Sequence, residues 1–183
     1  MLLTERLLLR PFRAADAPVL SAYRSDPQVA RYQGWDAPFP IESAIAFVAG
    51  LDGRDPRGEG WFQYAVELRG TGALIGDVGA NRHDQGRQAE IGFTLAPRYQ
   101  GHGYAAEAVG RVVHHLLAEE GLHRVHASVD ARNERSARLL ERLGFRREGL
   151  EVQSQWWKGE WTDDLRYAVL AGEWPGSAAS GSA

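Results

Sequence analysis

Three strand-like runs joined by short glycine-containing turns constrain this chain more than any other feature. Trp61-Phe62-Gln63-Tyr64-Ala65-Val66-Glu67-Leu68 leads through Gly70-Thr71-Gly72 into Ala73-Leu74-Ile75-Gly76-Asp77-Val78-Gly79-Ala80. The turn at Asp84-Gln85-Gly86 then opens a third run, Ala89-Glu90-Ile91-Gly92-Phe93-Thr94-Leu95. Links this short permit antiparallel pairing and not a parallel crossover, which takes a dozen or more residues. An antiparallel meander in the middle of the chain argues against a doubly wound parallel sheet.

Helical and strand patterns flank the meander. Leu7-Leu8-Leu9 is a short apolar run stopped by Pro11, and a helical pattern runs from Ala15 through Leu20 and Tyr23. Arg31 to Pro40 reads as an irregular loop, Glu42 to Leu51 as a helix, and Gly53 to Gly60 as a polar loop. After the meander, Tyr104 to Glu120 carries Ala105, Ala108, Val109, Val112, Val113, Leu116 and Leu117 on one stripe and is followed by Gly121. Val125 to Val129 reads as a strand, Glu134 to Leu143 as a helix closed by Gly144, and Arg146 to Leu170 as two strands around Lys158-Gly159-Glu160. The sum is an α+β fold, a mixed sheet with helices packed on it.

Composition narrows the chemistry. The 183 residues contain no cysteine, which removes disulfides, thiolate nucleophiles and zinc knuckles and agrees with a cytoplasmic setting. A net charge of −3 argues against a general nucleic-acid binder. No run reaches membrane-spanning length, and the charges of Glu5 and Arg6 break what would be the apolar part of an export signal. Of 21 basic residues only Lys158 is a lysine, so neither a P-loop lysine nor a lysine Schiff base is at hand. The six histidines are scattered, and no second ligand pair joins His114-His115 at helical spacing, so no metal site is expected. The Gly/Ser/Ala-rich stretch 175–183 has nothing to bury and reads as a disordered tail behind a single domain, 1–174.

Arg98-Tyr99-Gln100-Gly101-His102-Gly103-Tyr104-Ala105 joins the third meander run to the long helix. Two glycines let a backbone approach a ligand closely, and the helix start behind them offers free N–H groups and a positive dipole end. A diphosphate suits such a place; a plain connecting turn is the simpler alternative. Gly101-x-Gly103-x-x-Ala106, with Asp130 after the next strand, also fits a relaxed dinucleotide fingerprint. That reading expects the motif early in a parallel unit, which is not its place here.

The second constellation is Asn133-Glu134-Arg135-Ser136-Ala137-Arg138-Leu139-Leu140-Glu141-Arg142-Leu143-Gly144-Phe145. Together with the glycine loop it resembles the paired motifs of the GCN5-related N-acetyltransferase (GNAT) superfamily. Thr4 to Pro11, Ser25-Asp26-Pro27, Glu90-Ile91-Gly92 and Trp161-Thr162-Asp163…Tyr167 extend the resemblance, toward the RimJ/RimL-like branch of ribosomal-protein N-terminal acetyltransferases.

The resemblance implies a mostly antiparallel, twisted sheet flanked by helices. It also implies an acetyl-CoA-dependent transfer to a primary amine, either a protein N-terminus or a small molecule. The cofactor residues it implies are Arg98, Gln100, Gly101, His102, Gly103, Tyr104 and Ala105 at the diphosphate, Phe93, Thr94 and Leu95 along the pantetheine, and Asn133 near the thioester. Many members carry a tyrosine where this chain has Leu140; the branch implies instead a serine as thiolate acid, here Ser136. Glu90 shares a strand face with Gly92 and Thr94 and is the favoured proton acceptor, with Asp163, Asp164 or water as alternatives. Tyr32, Trp35 and one of Trp156 or Trp157 are expected at the amine pocket. Members of the branch often pair as dimers, so the resemblance allows a homodimer, which the sequence itself does not reveal. Two other functions compete with this one: a non-catalytic acyl-CoA-binding module, which Leu140 would suit, and a nicotinamide enzyme.

Overall fold

The computed structural model describes residues 1–175, so residues 176–183 of the expected tail lie outside the described residues. Eight strands form one sheet: β1 (Leu2–Leu3), β2 (Leu7–Pro11), β3 (Gly60–Leu68), β4 (Leu74–His83), β5 (Gln88–Leu95), β6 (Arg124–Asp130), β7 (Arg146–Trp157) and β8 (Glu160–Leu170). Their order is β1-β2-β3-β4-β5-β6-β8-β7, and every pairing is antiparallel except β5 with β6. Five α-helices accompany them: α1 (Ala17–Arg24), α2 (Pro27–Ala30), α3 (Ile41–Ala49), α4 (Tyr104–His114) and α5 (Glu134–Arg142). The sheet is mixed and mostly antiparallel, as expected, and the described residues contain no doubly wound unit for a dinucleotide.

Two apolar layers hold the sheet. On one face Val66, Ile75, Val78, Ile91, Val125, Tyr167 and Val169 meet Val109, Val112, Val113 and Leu116 from α4 and its extension, and Leu139 and Leu140 from α5. Each fully buried aliphatic side chain here contributes about 1.5–3 kcal/mol by leaving water. A Cβ at Gly110 would stand 3.4 Å from Leu143 Cδ2, so the small residue lets α4 and α5 come close. On the other face α1 and α3 cover only the β3–β4 side, where Leu20, Tyr23, Ala44 and Val48 pack on Ala65 and Leu74.

The structure departs from the sequence reading in two places. The helix expected over Tyr104 to Glu120 is α-helical only to His114 and then runs as one π-helical turn, His115–Glu119. Leu2 and Leu3, too short to carry a pattern, pair with Leu9 and Leu8 as an edge strand.

Candidate active site

The parallel pairing of β5 with β6 is brief: Gln88, Ala89 and Glu90 face Arg124, Val125 and His126, and beyond them the strands part. A wedge-shaped gap therefore opens in the middle of the sheet, directed toward the first turns of α4 and α5. In an antiparallel ladder a residue turns both backbone polar groups either toward its partner or away from it. The Phe93 carbonyl accepts from Gln33 Nε2 at 3.4 Å and the Leu95 carbonyl from Gln100 Nε2 at 2.9 Å, so both point away from β4 and border the gap. Thr94 points to the other side; it is buried and registers with Asp77.

At the mouth of the gap Gly101 and Gly103 adopt φ of +80° and +82°, a region open to glycine and costly for other residues. Gly103 is the N-cap of α4, and no side chain caps that helix. Its first-turn N–H groups are left for a ligand. Three guanidinium groups stand around this loop. Arg6 Nη1 donates to the His102 carbonyl at 3.1 Å while its Nε donates to Glu107 Oε2 at 2.7 Å, and it lies 4.5 Å over the Tyr104 ring. Arg98 is exposed over Tyr99, and Arg135 Nη1 donates to Gln100 Oε1 at 3.4 Å. His102 stacks on Tyr104 with ring centroids 5.9 Å apart. Burial works to raise the Glu107 carboxyl, but bonds from the Thr4 hydroxyl, the Arg6 backbone and the Arg6 guanidinium outweigh it and hold the group below the usual carboxylate range. The loop thus joins a helix N-terminus with free N–H groups to three neighbouring arginines, one of them balanced by Glu107, a setting that fits the diphosphate of acetyl-CoA. Arg6 and Arg135 lie inside the stretches that carry the family resemblance, yet the sequence assigns neither a role, because spacing alone does not reveal that each reaches the glycine loop.

Asn133 is the N-cap of α5, its Oδ1 accepting from Ser136 N at 3.2 Å. Ser136, in the first turn, is partly buried, and no hydrogen bond of its hydroxyl is found among the described residues. Leu140, one turn on, is fully buried in the core.

The sheet face not covered by α4 and α5 is polar beyond the reach of α1 and α3. Glu90 faces Asn81 of β4 and His126 of β6 in register. Its carboxylate is partly buried, and none of the hydrogen bonds or ion pairs among the described residues engages it. His83 and His126 meet Nε2 to Nε2 at 2.8 Å. Ser128 Oγ donates to Asp164 Oδ2 at 2.6 Å, and Arg166 Nη2 donates to Glu151 Oε2 at 2.8 Å. Asp163 points to the opposite side from Asp164 by strand alternation, and its Oδ1 accepts from Gln153 N at 2.7 Å. Gly79 and Gly92 are paired neighbours on this face, and Trp61 and Gln63 of β3 lean over the space they leave.

The aromatic residues expected at the amine pocket divide. Tyr32 OH donates to the Arg132 carbonyl at 3.4 Å, so Tyr32 and Gln33 bridge from β5 to the segment after β6 and roof the gap. Trp35 is held elsewhere: its Nε1 donates to the Arg24 carbonyl at 3.0 Å and its ring covers the Arg24 guanidinium at 4.1 Å, beside the buried Asp77. Trp156 is 61% exposed and packs edge-on against Trp161, on the other side of the hairpin from Trp157. Trp157 instead approaches Gly34 and lines a cavity of about 310 Å³ with Pro27, Ala30, Arg31, Arg132 and Lys158. Alternation along β7 separates the two tryptophans, and the sequence does not show which of them turns inward.

Residues 6–146 match the model of the acetyltransferase (GNAT) domain, and the chain belongs to that family. It is 33% identical over 171 residues to the uncharacterized N-acetyltransferase YnaD of Bacillus subtilis, covering 93% of this chain and 97% of that one. A GNAT-family acetyltransferase from Bacillus anthracis superposes with a TM-score of 0.86 at 31% identity, over 94% of this chain and 99% of its own. RimJ of Mycobacterium smegmatis, solved with CoA-disulfide, gives 0.81 at 29% identity, over 92% and 84%. The chain is thus an N-acetyltransferase that uses acetyl-CoA, with RimJ-like proteins among its relatives. Among the described residues no helix is long and apolar enough to cross a membrane.

Proposed function

We propose that the chain acetylates a primary amine held on the polar sheet face, with Glu90 taking the proton from the attacking nitrogen and Ser136 meeting the departing thiolate. One observation carries this reading. Glu90 is a partly buried carboxylate that no hydrogen bond or ion pair engages among the described residues, with the field of Arg166 acting on it, on the strand that borders the gap, whereas its rivals Asp163 and Asp164 are each engaged by a donor.

Acetyl-CoA supplies the activated acetyl thioester. The residues fitted to hold it are the Gly101–Ala105 backbone with Arg6, Arg98 and Arg135 at the diphosphate, Phe93 and Leu95 along the pantetheine, and the Asn133 side-chain amide. What remains for the protein is orientation and proton management, because a neutral amine attacks a thioester without a covalent enzyme adduct or a metal. An α-amine has a pKa of about 8 and a lysine amine about 10.4, so at neutral pH the acceptor arrives protonated and a base on its side of the sheet is required. On that side Trp61 and Gln63 lie over Gly79 and Gly92, which have no side chains of their own to put there.

The acceptor is either a protein N-terminus or a small amine. Mixing the enzyme with acetyl-CoA and a panel of peptides and small amines, and reading free thiol release, tests the reading. Turnover with at least one acceptor class is expected; acetyl-CoA binding with no release across the panel would leave a non-catalytic binding module.

A further inference from the structure

The His83–His126 contact has no part in the chemistry so far described. Two imidazole nitrogens 2.8 Å apart must share a hydrogen bond, one ring donating and the other accepting. The rings meet with centroids 5.1 Å apart at 68°, so the contact is directional and not a stack. His126 is the register neighbour of Glu90, and His83 lies at the end of β4, beside the Asp84-Gln85-Gly86 turn. His83 on β4, Glu90 on β5 and His126 on β6 therefore form a row across one sheet face, with Glu90 on the strand between the two imidazoles that meet and His83 next to the exposed turn.

We propose that the His83–His126 pair carries away the proton that Glu90 removes from the acceptor ammonium, a role that rests on Glu90 being the base. The amine N–H bond breaks as the Glu90 O–H bond forms. Glu90 then yields that proton to the free nitrogen of His126, directly or through one water. The proton already shared between the Nε2 atoms moves to His83, and His83 releases its other ring proton to solvent. One proton enters the row and one leaves, and tautomer exchange through solvent resets the rings.

The surroundings suit a carrier that is empty at rest. Burial, aided by His83, Arg124 and Arg166 and opposed by Glu148, pushes His126 down to about 4, so the ring is neutral when a proton arrives. The charged and titratable groups around the row are Glu90 on β5, His83 on β4, Arg124 on β6, Arg166 on β8, Glu148 on β7 and Asp84 in the turn.

Glutamine at either position keeps size and hydrogen bonding but cannot relay a proton. His83→Gln and His126→Gln should each lower kcat about tenfold in dilute buffer with KM for acetyl-CoA unchanged, and the double variant should be no worse than the slower single. Concentrated imidazole should restore most of the loss, which repair of a merely structural defect would not do. If His126→Gln melts early, His83→Gln carries the test alone. Full turnover in His83→Gln, a deficit that imidazole leaves untouched, or additive losses in the double variant would overturn the relay. Slow turnover in Glu90→Gln beside normal histidine variants would overturn the relay alone and leave Glu90 as the base. Full turnover in Glu90→Gln would overturn both readings.

Discussion

Arg6 and Glu107, 101 residues apart in sequence, are joined by a 2.7 Å hydrogen bond that fixes the N-terminal segment to the first turn of α4. The same guanidinium holds the His102 carbonyl, so the pair sets the shape of the glycine loop without belonging to it. Glu107→Gln should raise the KM for acetyl-CoA several-fold with kcat little changed. Because the Glu107 pKa lies below its unfolded value, the tie is present above that value and is lost as pH falls through the folded one. Native affinity for acetyl-CoA should weaken on that acidic limb, while Glu107→Gln should be flat there. Calorimetric titration with CoA across the acid range checks this; parallel curves would remove Glu107 from loop control.

Gly103→Val tests the loop itself. Valine at φ +82° costs about 1–2 kcal/mol of backbone strain or more, about 2–8 °C in Tm for a chain of this size. Its branched side chain would also stand where the diphosphate is expected. Gly121, at φ +74° beyond the π turn and with nothing within 4 Å of a Cβ, is the control. Gly121→Val should lose similar stability and keep its CoA affinity, whereas Gly103→Val should lose at least tenfold in affinity. Equal affinities in the two variants would clear the loop of any role in binding.

Glu90→Gln removes a proton acceptor at nearly constant shape. Turnover should fall about 10²-fold at neutral pH and recover in part toward alkaline pH, where more of the amine is already neutral. A deficit of the same size at every pH would mean that Glu90 orients the acceptor and does not take its proton.

How far the sequence reached depended on the range of the interactions involved. The meander was legible because alternation and glycine turns act within a few residues, and so was the α4 stripe, whose Val109, Val112 and Val113 are buried as the helical period requires. The gap between β5 and β6 was not, because where two strands part company depends on α4 and α5 packing beneath them. His83 and His126 are 43 residues apart and met only after β4, β5 and β6 had taken their register. The setting of Trp35 was illegible for a related reason: its ring covers the buried Arg24 of α1, a contact across 11 residues that no local pattern records.

The neutral His126 carries a stability signature. Its folded pKa of about 4 lies below the ordinary histidine value of about 6.5, so between those limits the unfolded chain binds more protons and stability rises with pH. Tm should decline as pH is lowered from about 6.5 toward 4. In His126→Gln that part of the decline should be smaller, and identical Tm profiles for the two proteins would show that the ring titrates normally.

Ser136 gives the most discriminating test. Its backbone N–H is spent on the Asn133 cap, but its hydroxyl has no partner among the described residues, so alanine removes a free hydroxyl while leaving the cap intact. If that hydroxyl meets the departing thiolate, Ser136→Ala should lower kcat about 10- to 100-fold with little change in acetyl-CoA affinity, since the contact strengthens only as charge develops in the transition state. With a thiol pKa of about 8.5, by analogy with cysteine, the released thiolate is stable without a proton in alkaline medium, so a donor matters less there and the deficit should shrink as pH rises. Leu140→Tyr is a poor route to rescue, because Leu140 is fully buried and a larger ring there would overpack the core at a cost of about 1–3 kcal/mol. Steady-state kinetics from neutral to alkaline pH decide the matter. Native turnover throughout, or a defect confined to acetyl-CoA binding, would leave Ser136 as a residue of the helix alone.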